Sequence, residues 1–124
     1  MTNYAYKTMK RLLPGPYTFI LTGSKLVPKM MLTKRLTAGI RVPDNRICIS
    51  LVEHLGNPII STSAKTDEDE DLFDPSFIHD YFKDRLDAVI DGGPVPGKPS
   101  SVISLMDDDP VVIRKGIGDV SLFE

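Results

Sequence analysis

Apolar positions follow two rhythms along this chain, and the change from one to the other falls at proline and glycine. Tyr4, Ala5, Met9, Leu12 and Leu13 recur at helical spacing with lysines between them, which predicts a helix over Tyr4 to Leu13. Pro14-Gly15-Pro16 must stop it, because proline removes a backbone donor and restricts the residue before it. Tyr17 to Leu21, rich in aromatic and β-branched residues, predicts a strand, and Thr22-Gly23-Ser24 a turn. Val27 to Arg35 is basic, with a short helical turn expected at Lys29 to Leu32. Thr37 to Val42 predicts a second strand, closed by Pro43.

The clearest helix comes next. Ile47, Leu51 and Leu55 stand at i, i+4 and i+8, with Cys48 and Val52 beside them. Either Asn45 or Asp44 can cap its start, Gly56 suits the position after its end, and Pro58 prevents continuation. Ile59 to Thr62 predicts a short strand. Asp74-Pro75 opens a further helix whose apolar face is Phe77, Ile78, Tyr81, Phe82 and Leu86. Strands are then expected at Asp87 to Asp91, Ser101 to Leu105 and Val111 to Ile113, with a Pro/Gly loop at Pro94 to Pro99 and an acidic turn at Met106 to Pro110. Strands alternating with helices predict an α/β layered domain with a mixed sheet.

Composition narrows this picture. The 124 residues, 41% hydrophobic and 26% charged, suit one globular domain over residues 1–124. No apolar run approaches the ~20 residues of a membrane span. The start, MTNYAYKTMKRLL, has neither the long apolar core nor the cleavage site of a signal peptide, so a cytoplasmic location is expected. Cys48 is the sole cysteine, and His54 and His79 make no ligand motif, so no metal site is expected. The net charge of −2 hides an asymmetry: Met1 to Arg46 carries nine bases and one acid, a segment of +8, while Ile47 to Glu124 sums to −10.

Four clusters invite a chemical reading. The basic first third could meet phosphates, or could be a solvated helix face with charged loops. In Thr37-Ala38-Gly39-Ile40-Arg41, residues 37, 39 and 41 share one strand face; hydroxyl, bare backbone and guanidinium together suit a carboxylate or phosphate. The alternative is an edge strand whose Arg41 pairs with one of the many acids. Ser61-Thr62-Ser63-Ala64 follows a predicted strand, where hydroxyls can serve an anion or simply a turn. Ser100 and Arg114 would converge if the last two strands pair. The five consecutive acids Asp67 to Asp71 lack the alternation and glycine of a calcium loop and read as a solvated loop.

Five of these segments occur in the same order in the YrdC/YciO family: LPGPYTFIL from Leu13, GIRVPD from Gly39, STSA from Ser61, PSSVI from Pro99 and VIRKG from Val112. The chain resembles the YciO branch most, through PGPYTFIL, the DDDP turn and the final VIRKGIGDVSLFE. The resemblance implies a YrdC/RibB-like twisted mixed sheet with flanking helices and a concave, positively charged surface that binds double-stranded RNA or tRNA. It also implies a relation to threonylcarbamoyl-AMP synthases. These join ATP, L-threonine and bicarbonate with release of pyrophosphate, toward the threonylcarbamoyladenosine of tRNA. By that resemblance Thr37, Ser63 and Arg114 meet ATP, used as a substrate with magnesium. Arg41, Ser61 and Ser100 meet threonine. The basic residues Lys7, Lys10, Arg11, Lys34 and Arg35 face RNA.

Two departures bear on activity. The family carries an earlier Lys-Arg-Pro segment whose cations meet the triphosphate, and the chain resembles only the later part; Lys10-Arg11 is followed by Leu12 on a predicted helix. The synthases also read Ser-Thr-Ser-Ala-Asn, where this chain has Lys65 after Ala64. Phosphoryl chemistry needs dense charge around the triphosphate, so the expectation is an RNA- and nucleotide-binding protein that is weak or inactive alone. The alternatives are a synthase completed by a further segment or partner chain, and a non-catalytic protein-interaction module. A sheet edge left open would favour a homodimer.

Overall fold

The computed structural model describes residues 1–23, 36–95 and 97–124. Ser24, the helical turn expected at Lys29 to Leu32, Lys34, Arg35 and Pro96 lie outside the described residues. The described chain falls into two compact units. One combines Met1–Pro58 with Pro99–Glu124, and the other is Ile59–Lys98.

The larger unit begins with α1 (Asn3–Leu12), started by Thr2, whose hydroxyl accepts from the Ala5 N–H at 3.1 Å. Four strands follow in chain order: β1 (Tyr17–Thr22), β2 (Thr37–Arg41), β3 (Ser101–Ser104) and β4 (Val111–Arg114). They form one sheet in the order β2-β1-β3-β4. β1 pairs antiparallel with β2, parallel with β3, and β3 pairs antiparallel with β4, so the sheet is mixed as expected. A register shift between Val102 and Ile103 inserts a bulge into the β3–β4 pairing. Between β2 and β3 in sequence lies α2 (Arg46–Leu55); its cap is Asn45, which accepts from Cys48 N–H at 3.1 Å, and Gly56 ends it with φ 77°.

Period-two alternation divides the sheet. Tyr17, Phe19 and Leu21 from β1 point to one face with Ile103 and Leu105. They pack with Ala5 of α1 and with Val120 and Phe123 near the chain's end, while Met9, Leu12 and Leu13 close the margin. Phe19 and Ile103 are fully buried. Tyr17 stacks on Phe19 at a ring separation of 5.7 Å and donates its hydroxyl to the Asp119 carbonyl at 3.0 Å, tying the closing segment to β1. The neighbouring positions Thr18, Ile20 and Val102 take the opposite, half-open face.

The smaller unit holds α3 (Pro75–Phe82), with Asp74 accepting from Ser76 N–H at 2.8 Å and Pro75 in the first turn. Before α3, residues 64–72 fold back on themselves through an isolated antiparallel bridge between Lys65 and Asp71. Two sequence expectations fail in this unit: Ile59 to Thr62 and Asp87 to Asp91 form no strand. β-propensity records packing on a paired, half-buried surface, and neither segment is paired into a ladder here. The apolar stripe of α2 is also a surprise. The helix forms where expected, yet Ile47, Leu51 and Leu55 are 40%, 46% and 53% exposed.

The core assigns different weights to residues of similar hydrophobicity. Phe19→Ala should destabilise the larger unit by about 3–5 kcal/mol and Ile103→Val by roughly 1 kcal/mol. Leu51→Ala should stay within about 0.5 kcal/mol of wild type. Urea unfolding followed by circular dichroism checks all three.

Candidate functional site

The register places one transverse row across the half-open face. Arg41 on β2 stands opposite Thr18 on β1, Thr18 opposite Val102 on β3, and Val102 opposite Arg114 on β4. Strands are spaced about 4.8 Å apart, so the two arginine backbones are roughly 14 Å apart at the outer edges of the sheet. Ser100, one residue before β3, lies diagonally between Thr18 and Arg114 and is almost wholly buried.

Hydrogen bonds tie this row together. Thr18 Oγ1 and Ser100 Oγ are 2.8 Å apart. Arg114 donates from Nε at 3.1 Å and from Nη2 at 2.9 Å to the Ser100 carbonyl, a two-pronged grip, with Nη2 also 3.4 Å from Ser100 Oγ. The next residue, Ser101, donates its hydroxyl to the Gly118 carbonyl at 2.6 Å and accepts from Gly116 N–H at 2.9 Å. Gly116 is pressed against the Pro99–Ser100 backbone so closely that a Cβ there would collide with it. Adjacent serines thus do separate jobs: Ser101 binds the Gly116–Gly118 turn from the core side, and Ser100 anchors Arg114 on the open side.

The electrostatics of the row are unbalanced. Arg41 is exposed, and neither it nor Arg114 has an ion-pair partner among the described residues. β2 is an edge strand, but its Arg41 is not absorbed by the many acids of the chain. Two guanidiniums without counter-charges, beside a hydroxyl pair, can hold a carboxylate or phosphate. Among the described residues no cluster of three His, Cys, Asp or Glu side chains could hold a metal ion.

The remaining sequence candidates distribute differently. Thr37 pairs across from Thr22, four residues along β2 from Arg41 and about 13 Å away, and is buried. Ser61 and Ser63 belong to the smaller unit and are exposed. Lys7 and Lys10 are exposed on the side of α1 away from Ala5 and Thr8, and Arg11 is exposed on its flank, one turn after Thr8. Because α1 covers the core face, these cations and the Arg41–Arg114 row lie on opposite faces of the sheet. Sequence reasoning missed Thr18. Its signal was only period-two phase with a neighbour, and the neighbour is 82 residues away.

Lys65, where the synthase pattern has asparagine, bonds Asp69 at 3.1 Å and lies 3.8 Å from Asp71. Two members of the acid run therefore serve as its counter-ions. The hydrogen bond and charge of Asp69, then the charge of Asp71, raise the Lys65 pKa above the usual lysine value.

With this geometry in hand, a match to a family model is decisive: the model Sua5/YciO/YrdC, described as "Telomere recombination", covers residues 1–116. The chain belongs to the Sua5/YciO/YrdC family. YciO of Escherichia coli strain K12 is 47% identical over 123 residues, covering 98% of this chain and 60% of its own length. The crystal structure of E. coli YciO superposes with a TM-score of 0.92 at 46% identity, over 100% of this chain and 61% of that one. The threonylcarbamoyl-AMP synthase of Pyrococcus abyssi is 32% identical over 108 residues, 86% of this chain and 32% of the synthase. The crystal structure of P. abyssi Sua5 complexed with L-threonine gives a TM-score of 0.84 at 30% identity, over 94% of this chain and 34% of that one. The chain spans about 60% of the YciO length it matches. The family's mixed α/β architecture is the one described above, and no helix among the described residues is long and apolar enough to cross a membrane.

The Lys65 ion pairs carry a pH signature. A folded-state pKa raised above 10.5 means the pairs stabilise the 64–72 fold-back fully below that pH and lose this contribution as pH rises through the raised value. Asp69→Asn should bring the Lys65 ammonium back toward its ordinary titration, read by NMR of the lysine side-chain signals. An unchanged titration would remove Asp69 as the main cause.

Proposed function

We propose that the Arg41–Thr18–Ser100–Arg114 face binds an amino-acid carboxylate together with a nucleotide, in the manner of the threonylcarbamoyl-AMP synthases to which the family is related. The observation that carries this reading is the pair of arginines without ion-pair partners among the described residues, flanking a hydrogen-bonded Thr18–Ser100 pair. Arg41 would grip the carboxylate, Ser100 would hydrogen-bond the same ligand, and Arg114 would meet the nucleotide phosphates through the donors that Ser100 does not occupy. Support for L-threonine as the amino acid comes from P. abyssi Sua5, a similar fold crystallised with it. Thr37, on the same strand as Arg41, joins the proposed ligand set by family resemblance. ATP enters as a substrate with its own magnesium.

Binding without efficient turnover is the expected behaviour of this chain alone. The described site offers two arginines where synthesis of an acyl-adenylate with pyrophosphate release calls for denser charge around a triphosphate. Calorimetry should detect L-threonine and ATP, and Arg41→Ala should weaken threonine at least about tenfold, the loss of a charge-assisted bond. Substantial pyrophosphate release from ATP, threonine and bicarbonate that vanishes in Arg41→Ala would instead establish a synthase. No binding of either ligand would remove the reading.

The basic side of α1 supports a second part of the function. Lys7, Lys10 and Arg11 are exposed, without ion-pair partners among the described residues, and lie on the face opposite the ligand row. We assign them to the backbone of structured RNA, double-stranded RNA or tRNA, with Lys34 and Arg35 added by sequence. Affinity should fall steeply with salt. Replacing Lys7, Lys10 and Arg11 together by alanine should shallow that slope by about 2–3, measured by fluorescence anisotropy on a tRNA. Salt-independent binding, or none, would discard the RNA assignment.

A further inference from the structure

Thr18 is held at one branch and given room at the other. Its hydroxyl is 2.8 Å from Ser100 Oγ, and its methyl lies 3.3 Å from where a Cβ on Gly39 would stand. A β-branched side chain on a central strand has little χ1 freedom, and here each branch has one seat. The bare backbone of Gly39 leaves room for the methyl, and that placement turns the hydroxyl toward Ser100.

Ser100 has one proton and two lone pairs to distribute. Arg114 can only donate, so its Nη2–H uses acceptor capacity on Ser100 Oγ. If Ser100 gives its proton to Thr18, it has none left for a ligand. If Thr18 donates, Ser100 keeps its own proton for an acceptor on the open face. Ser100 is buried to all but 3%, so the choice is made between a few fixed neighbours and not by bulk water.

We propose that Thr18 is a positioning residue: it donates to Ser100 Oγ, with Gly39 leaving room for its methyl, and so aims the Ser100 O–H at a carboxylate held by Arg41. The proposal rests on the ligand reading of this face, and it adds the residue that determines whether Ser100 acts as donor or acceptor.

The test is a double-mutant cycle with L-threonine as the probe, followed by calorimetry, together with NMR of the free protein. Thr18→Val keeps the branched shape and removes the hydroxyl; the Ser100 O–H then loses the donor that aims it and rotates among its wells, so threonine should weaken roughly five- to tenfold, about the net worth of one neutral hydrogen bond. Thr18→Ser keeps the hydroxyl and should stay within about threefold of wild type, which controls for packing. Ser100→Ala should lose at least as much as Thr18→Val, and the double variant no more than Ser100→Ala alone, because both remove one device. In the free protein the Thr18 hydroxyl proton should be protected from exchange, show cross-peaks to the Ser100 Hβ protons, and lose that protection in Ser100→Ala. Wild-type affinity in Thr18→Val, additive losses, or an unprotected hydroxyl proton would each overturn the proposal. If wild type itself binds no threonine, the ligand reading of the face falls, and the hydroxyl-proton measurement alone decides the role of Thr18.

Discussion

Tyr17, Phe19 and Leu21 of β1 run beside Ser101, Ile103 and Leu105, and the pairing of these two parallel central stretches is the constraint on which the larger unit depends. Side chains on a strand alternate strictly between faces, so seating Phe19 and Ile103 in the core leaves no choice for their neighbours. Thr18 and Val102 must face the other way, and the outer strands carry Arg41 and Arg114 into the same row. A slip of one residue would send Phe19 to the open face and Thr18 into the core. The apolar half of the sheet therefore holds the polar half in register, and the geometry of the Arg41–Arg114 row is a consequence of hydrophobic burial.

Adjacent residues show how finely this division acts. Ser100 and Ser101 are chemically identical and consecutive, yet Ser101 binds the Gly116–Gly118 turn while Ser100 anchors the Arg114 guanidinium. Gly116 allows the turn to press against the Pro99–Ser100 backbone, and Tyr17 fastens the following segment through Asp119. These contacts leave Arg114 held at one edge and free of acids, so its charge is directed by a backbone carbonyl, an acceptor that does not neutralise it.

The charge asymmetry of the chain also gains a spatial meaning. Four described cations of the first third separate onto two faces of one sheet, Lys7, Lys10 and Arg11 on α1 and Arg41 across the sheet from them. The unit Ile59–Lys98 carries ten acids and four bases. Within it, Asp69 and Asp71 are counter-ions to Lys65. The acid run is exposed, as its composition predicts, and two of its members also clasp Lys65, a residue at which the chain departs from the synthase pattern.

Local chemistry made much of this visible in the sequence. Proline and glycine at Pro14, Pro43, Gly56 and Pro75, and cap residues at Asn45 and Asp74, mark helix and strand ends through backbone restrictions that need no tertiary context. The alternation in Thr37-Gly39-Arg41 and the ordered family segments pointed to the mixed sheet and to Arg41, Ser100 and Arg114 as its polar members. Pairing was the part that local chemistry could not determine. Ile59 to Thr62 and Asp87 to Asp91 have strand-like composition but no ladder partner, and Ile47, Leu51 and Leu55 have a core-like period but remain half exposed. Thr18 and Ser100 meet across 82 residues, and no local period encodes which strand lies beside which. Residue chemistry thus determined where helices and strands begin and end and which polar residues share a strand face. Only the tertiary structure decided their company, because register is set by burying Phe19 and Ile103 together at the centre of the sheet.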